Sequence, residues 1–334
     1  MINKSFWATN DALAVKAWEE KLYRELVIES YFDKFTSTSG ESIVHQKTKI
    51  GKGMGDTVTF GLMKALKGEG QESANSDFTL LGKGESLATA SDSLTLKEVG
   101  HSVVGRNPMS EQRVLFSINA EAEASIKTWA VEKLDKQHFE ALFGTAFNKS
   151  FYAGTATSVA TLTSGMKLTP QLLSKVKAWA KTGGSRAQMP IKPVRVSGKN
   201  YYVALLHPYV LFDLKQDATF QQWMREAEVR GKENPLFSGA VAMVDGLVIH
   251  DHERVPLLRT GGSGAVPYAR NVLLGQQALA IGWGQKIKVE QEVTDFKRFS
   301  EYGVTWINGV KRVAFESKDY GAIEIVSAVT DIDA

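Results

Sequence analysis

Cysteine is missing from all 334 residues. Its absence excludes disulfides, thiolate metal sites and a thiol nucleophile together, so any crosslink would need other chemistry; it also fits a reducing cytoplasm. No apolar run approaches the roughly 18 to 20 residues that a membrane-spanning helix needs. Met1-Ile2-Asn3-Lys4-Ser5-Phe6 lacks the apolar core of a signal peptide. The expectation is a soluble protein that stays where it is made, with no membrane partner. An excess of one charge is also lacking: forty Lys and Arg against thirty-seven Asp and Glu leave +3, which gives no support to specific DNA binding. What is present, 43% hydrophobic and 23% charged residues with 8 Pro and 29 Gly, fits one large globular domain or two moderate ones and excludes disorder over most of the chain.

Hydrophobic periodicity predicts an amphipathic helix over 10–35, with Val15, Trp18, Leu22 and Leu26 on one stripe and Asn10 or Asp11 as cap. Ahead of it, Phe6 and Trp7 must bury against a partner surface or against the parent domain. From Ser42 to Val104 the period becomes two. Asp56–Leu62 and Ser93–Val99 both alternate and predict strands. Between them, Lys67 to Ser91 is a polar, glycine-rich excursion of roughly 25 residues, far longer than a hairpin turn and therefore functional or mobile. Charges from Glu41 to Arg106 balance, eight of each sign, which suits protein contact better than nucleic acid.

A helix is predicted from Ser110 to about Phe143, with Leu115, Ile118, Ala122, Ile126 and Trp129 on one stripe, Leu134 and Leu142 continuing it, and Gly144 as a left-handed cap. At 1.5 Å per residue it would be about 50 Å long, a spine. A shorter helix follows, with Thr169 as N-cap, Pro170 first and Gly183 past its end. Tyr201–Leu206 predicts a buried strand, His207-Pro208 a short helical turn, and Asp217–Arg230 a helix ended by Gly231. Asp245-Gly246 between apolar runs predicts a type I′ hairpin. Alternation returns after Lys286, with Ala322–Val326 as the last strand. No regular βαβ series is visible, so the fold class is α+β.

Chemistry is sparse. His250-Asp251-His252-Glu253 is the only cluster of metal-ligand types, and two histidines on one strand face could share a zinc ion, but no third ligand is assigned. Gly51-Lys52-Gly53-Met54-Gly55-Asp56-Thr57 lacks the Gly-Lys-Ser/Thr ending of a phosphate loop and opens a strand instead of a helix. His207 has no nucleophile or acid partner. His45, His101 and His138 are isolated, as satisfied surface or core histidines would be. No catalytic, cofactor or metal residue is assigned.

In order, these pieces are an arm with a helix, a long hairpin, a spine helix, a mixed block and C-terminal strands. That order resembles the major capsid proteins of tailed bacteriophages, with their Hong Kong 97-type fold, and the sequence is most similar to the N4-like podovirus capsid family. The residues that carry the resemblance are Lys49–Gly61, Leu66-Lys67-Gly68-Glu69-Gly70, Leu205–Leu214, Asn234–Gly239 and Val244–Ile249. Lys83-Gly84-Glu85 departs from it where relatives tend to carry a more acidic run.

The resemblance implies an N-terminal arm (1–41), an extended loop (42–106), a peripheral domain with the spine helix (107–193), an axial domain (194–285) and C-terminal strands returning to the peripheral domain (286–334). It also implies no catalysis, self-assembly into pentamers and hexamers of an icosahedral shell, and non-specific contact with packaged double-stranded DNA. A portal protein would occupy one vertex, and assembly would take place in the host bacterial cytoplasm. No long charged helix precedes the arm, so scaffolding is expected from a separate chain, as is any decoration protein. Phe6, Trp7, Lys67, Gly68, Gly70, Phe78, Leu80 and Leu81 are the expected intersubunit contacts. An encapsulin-like compartment shell, or a metal-dependent hydrolase built on His250 and His252, are the alternative readings.

Overall fold

Each of the two main sheets is built from strands far apart in sequence, so the fold is held by long-range pairing. The computed structural model describes residues 30–47, 56–66, 68, 80–81, 83–104, 118–184, 189–196, 198–226, 240–262, 264–294 and 299–332. After a 3-10 turn at Asp33–Phe35 come β1 (Thr36–Ser37), β2 (Val44–Lys47), β3 (Thr57–Met63), β4 (Thr89–Thr95) and β5 (Lys97–Val104). Helix α1 (Ile118–Phe143) leads to β6 (Ser150–Tyr152), α2 (Pro170–Thr182), β7 (Val194–Val196), β8 (Lys199–Leu206), α3 (Pro208–Gln216) and α4 (Ala218–Glu226). Strands complete the chain: β9 (Ala242–Val244), β10 (Leu247–Asp251), β11 (Leu257–Gly261), β12 (Val266–Leu274), β13 (Leu279–Thr294), β14 (Phe299–Arg312), β15 (Ala314–Phe315), β16 (Lys318–Asp319) and β17 (Ala322–Ala328).

The five-stranded sheet has the order β1-β2-β13-β14-β5. Its long β13–β14 pair runs antiparallel from Leu279↔Arg312 to Thr294↔Phe299. Period-two alternation turns Ile287, Val289, Tyr302, Val304 and Trp306 toward α1, where Ala122, Ile126, Ala130 and Leu134 meet them in one core. The second sheet runs β6-β17-β12-β8-β10-β9, with β11 on β12 and β7 on β8. Every residue of β17 is buried, because Ala322 faces the α1 core while Ile323 and Ile325 face the core under α2 and α3.

Local signals were accurate where they act locally. Thr169 accepts the Leu172 N–H, Pro170 opens α2 and Gly183 closes it at φ 64°. Asp245 and Gly246 both take positive φ, as a type I′ turn requires. His207 caps α3 by accepting the Tyr209 N–H at Nδ1, and Asp217 Oδ1 accepts from Thr219 and Phe220 at the start of α4. Residues 227–231, at the expected end of that helix, lie outside the described residues.

Four expectations need correction. The helix predicted over 10–35 does not reach Phe35: residues 10–29 lie outside the described residues, and Tyr31, Phe32 and Phe35 form an aromatic turn wedged against α1. The strand predicted over Ser93–Val99 breaks at Leu96, because β4 pairs with β3 whereas β5 pairs with β14. Gly144 takes no left-handed conformation. Its missing Cβ instead leaves room for the Glu140 carbonyl, which would lie 2.4 Å from it. Finally, β13 begins at Leu279, ahead of the expected alternation from Lys286. The described part of the spine is 26 residues, about 39 Å at 1.5 Å per residue; residues 110–117 lie outside the described ones.

The carboxyl end of α1 is closed by two arginines, one from each main sheet. From β14, Arg312 donates to the carbonyls of Leu142 (2.7 Å), Thr145 (3.2 Å) and Ala146 (2.7 Å), with Asp319 as counter-ion at 2.7 Å. From β12, Arg270 donates to the Phe143 carbonyl at 3.3 Å and to Glu324 at 2.5 Å. Phe147 packs against both guanidinium groups. Cations are favourable where a helix leaves its last carbonyls unpaired.

At the other contact of α1, the chain enters through a cluster rich in titratable groups. Ser30 Oγ donates to Asp135 at 2.7 Å, Phe32 stacks on His138 at 5.0 Å, and the His252 ring lies 4.7 Å from Tyr31 and 4.6 Å from Phe139. Burial lowers His138 below the usual histidine range, opposed by the Leu134 carbonyl and Asp135. Burial lowers His252 as well, with Arg254 and Lys34 adding to it and Asp135 and Glu253 opposing. Asp33 moves the other way, raised by burial to about 6.

Two outcomes follow for measurement. Arg312→Met leaves Asp319 without its counter-ion, keeping only the Asn148 N–H at 2.7 Å, and opens the Leu142, Thr145 and Ala146 carbonyls, so urea unfolding should show a loss of about 3–5 kcal/mol; a loss under about 1 kcal/mol would contradict the closure. Histidines held below their unfolded value contribute stability above pH 6.5 that is lost as pH falls through the lower folded value. Asp33 partly offsets this, because its contribution is lost as pH rises through about 6. His138→Phe should therefore flatten the fall in unfolding midpoint between pH 7 and 5, and Asp33→Asn should steepen it.

Candidate assembly hairpin

Strands β3 and β4 form a two-stranded ribbon in register from Thr57↔Thr95 to Met63↔Thr89. Alternation gives it two unlike faces. One carries Val58, Phe60, Leu62, Ala90, Asp92 and Leu94; the other carries Thr57, Thr59, Gly61, Ser91, Ser93 and Thr95. Val58 and Leu94 are buried, and Phe60, Leu62 and Ala90 pack on Ala280, Val313, Phe315 and Tyr320. This docking covers the face of the five-stranded sheet opposite α1. Gly309 of β14 permits it: a Cβ there would lie 2.4 Å from the Thr95 carbonyl oxygen. Lys47 adds a contact to the Thr59 carbonyl at 3.2 Å and lies over the Phe60 ring.

Beyond the docked base the character reverses. Met63, Leu66 and Leu87 are exposed, Leu80 is 62% exposed and Leu81 91%. Single exposed apolar residues are ordinary, but five among the described residues of one segment point to a contact surface. The Gly68 N–H donates to Glu85 Oε2 at 2.7 Å, which ties the two limbs together across the excursion. Of the predicted contact residues, Gly68, Leu80 and Leu81 are described here, whereas Phe6, Trp7, Lys67, Gly70 and Phe78 lie outside the described residues. The Lys67–Ser91 excursion, read from sequence as functional or mobile, is not wholly outside the subunit's strands. Its last residues, Thr89 to Ser91, belong instead to β4, and Ala90 packs in the subunit core.

The residues weighed for other chemistry are held by packing. His250 is fully buried in β10, edge-on to Tyr31 and Phe35, while His252 lies just past the strand end. His252 Nδ1 accepts the Arg254 N–H at 3.1 Å, a role for the neutral ring. Among the described residues, no three His, Asp or Glu side chains gather closely enough to hold a metal ion. His101 rests on Trp129 at 4.5 Å. His138 is satisfied at Nδ1 by the Leu134 carbonyl at 2.7 Å, but its Nε2 and His45 Nδ1 are buried without a hydrogen-bond partner, each histidine lying beside a phenylalanine ring. Residues 51–55 lie outside the described ones, and the glycine-rich run leads into β3.

Sequence reading missed Asp92, Arg270 and Arg312. Asp92 did leave a trace: it is the one charged residue on the apolar face of an alternating strand. The arginines left none for their closing role, since the carbonyls they bond lie more than a hundred residues away.

The phage capsid protein family matches residues 7–331 of the chain. The major capsid protein of Pseudomonas phage KPP25 is 24% identical over 376 aligned residues, covering 96% of each chain. The capsid of Ralstonia phage GP4 superposes with a TM-score of 0.83 at 23% identity, covering 100% of this chain and 97% of that one. The capsid of cyanophage Pam1 gives 0.76 at 21% identity, covering 91% and 94%. The Helicobacter pylori bacteriophage KHP30 capsid gives 0.73 at 18%, covering 90% and 91%. The α+β architecture is of the Hong Kong 97 type, and with the family spanning nearly its whole length, this chain belongs to the phage capsid protein family, components of the virion shell.

Proposed function

We propose that the chain is the major capsid protein of a tailed bacteriophage, closing in many copies into an icosahedral shell around double-stranded DNA. The observation that carries this is the hairpin: a base docked on its own subunit, followed by exposed apolar side chains that include Leu80 and Leu81. Such a patch is satisfied when each copy lays it on the next, and repetition at every copy makes weak contacts sufficient. Family membership and the whole-chain likeness to phage capsids support this over an encapsulin-like compartment or a hydrolase.

In this reading the chain has no catalytic role. Arm, extended loop, peripheral and axial domains divide it as the resemblance implies, within the N4-like branch. Phe6 and Trp7 clamp a neighbour. Pentamers and hexamers form from one chain in the bacterial cytoplasm, a portal protein takes one vertex, and scaffolding and decoration come from separate chains. A net charge of +3 suits an inner surface that touches DNA without gripping it.

Replacing residues 68–87 by a short Gly-Ser turn spares the docked base. It should leave circular dichroism and melting temperature nearly unchanged while abolishing closed shells in negative-stain micrographs. Normal shells, or a subunit that no longer folds, would overturn the assignment of the hairpin. Removing residues 1–9 should give fewer or less heat-resistant shells, and unchanged assembly and melting would count against the clamp.

A further inference from the structure

A carboxylate at the centre of an apolar strand face costs desolvation unless it is fully paired. Asp92 lies opposite Phe60, with Ala90 and Leu94 as its neighbours on the same face. Its side chain is only 10% exposed. One oxygen accepts from Lys311 Nζ on β14 and from the Ser93 N–H at 2.9 Å; the other accepts the Ala314 N–H of β15 at 3.0 Å. Lys311 Nζ also donates to the Ser93 carbonyl at 2.8 Å. The ribbon is thus bonded to the corner where β14 passes into β15, at one point along its length.

An apolar residue at 92 would bury similar area, but hydrophobic contact is non-directional whereas hydrogen bonds fix distance and angle. We infer that Asp92 is a positioning residue, setting the angle and register at which the hairpin leaves its subunit and so where its exposed leucines meet the next copy. This rests on the proposed role in shell assembly.

Two features show why a buried bond partway along the ribbon matters. The ribbon emerges where Thr95 crosses Gly309, so its root is already fixed in place. It is only two strands wide, so a small tilt at the root becomes a larger displacement at Leu81. The buried Asp92 bonds partway along restrain that tilt, and the Lys64–Glu316 ion pair and the Lys47 bond to the Thr59 carbonyl add more exposed restraints.

The test compares Asp92→Ala, Asp92→Asn and Lys311→Met with the parent chain. Hydrogen exchange is followed on unassembled subunits, and light scattering with electron microscopy on assembly. With Asp92→Ala, amides of β3 and β4 should exchange at least about tenfold faster while those of α1 and β13 keep their rates. Assembly should slow and yield open or irregular particles. Asp92→Asn keeps an acceptor for Ala314 and should fall between, as should Lys311→Met, so a misfolded alanine variant leaves two others to decide.

Unchanged ribbon exchange in all three variants overturns the inference. Faster exchange with shells of normal rate and shape also overturns it, because Asp92 would then support the fold without positioning the hairpin. A parent chain that forms no shells contradicts the proposed function instead, and ribbon exchange in the variants still decides whether Asp92 holds the hairpin.

Discussion

Helix α1 ends in carbonyls with no partner in the next turn, and the two arginines that close it come from different sheets. Arg312 reaches from β14 of the five-stranded sheet and Arg270 from β12 of the eight-stranded one, with Asp319 and Glu324 as their counter-ions. The helix end therefore joins both sheets. Because these charges are buried, removing one partner strands another, and the joint is stiff where a purely apolar contact would let the helix slide. A stiff joint is what a shell subunit needs, since load applied to one sheet must reach the other through the spine.

The hairpin depends on that frame. Its base docks on residues of β13, β14 and β15, so its direction in space is set by the sheet that α1 backs. Polar and apolar contacts divide the work: buried Val58 and Leu94 supply adhesion worth about 1.5–3 kcal/mol each, half-buried Phe60 and Leu62 add less, and Asp92 supplies geometry. Past Met63 and Thr89 the Lys64–Glu316 ion pair still reaches the subunit, but the described leucines, Leu66, Leu80, Leu81 and Leu87, are exposed. Under the proposed function, this docked base and exposed tip are what an assembly arm requires.

What could be read from sequence was whatever depends on nearby residues. Thr169, Pro170 and Gly183 bound α2 by capping and backbone preference alone, and Asp245-Gly246 admits few turns but type I′. The order of hairpin and long helix was legible for the same reason, as changes of hydrophobic period along the chain. Failures came where distant packing overrides the pattern. Leu96 sits in unbroken alternation, yet Gly309 across the sheet is what lets the strand cross and change partners there. Tyr31, Phe32 and Phe35 have spacing that a helix would also accept, and only the α1 surface draws them into a wedge. Arg312 closes a helix 170 positions away from its own place in the chain, and no local rule connects them.

The central claim is that this subunit completes itself only against copies of itself, through the hairpin. An electron cryomicroscopy reconstruction of particles formed by the purified chain tests it most directly. The account predicts closed shells in which Leu80 and Leu81 of every copy are buried on a neighbouring subunit while Asp92 keeps Lys311 and Ala314 within its own. Closed shells with those leucines facing solvent, or a chain that remains monomeric under all assembly conditions, would contradict it.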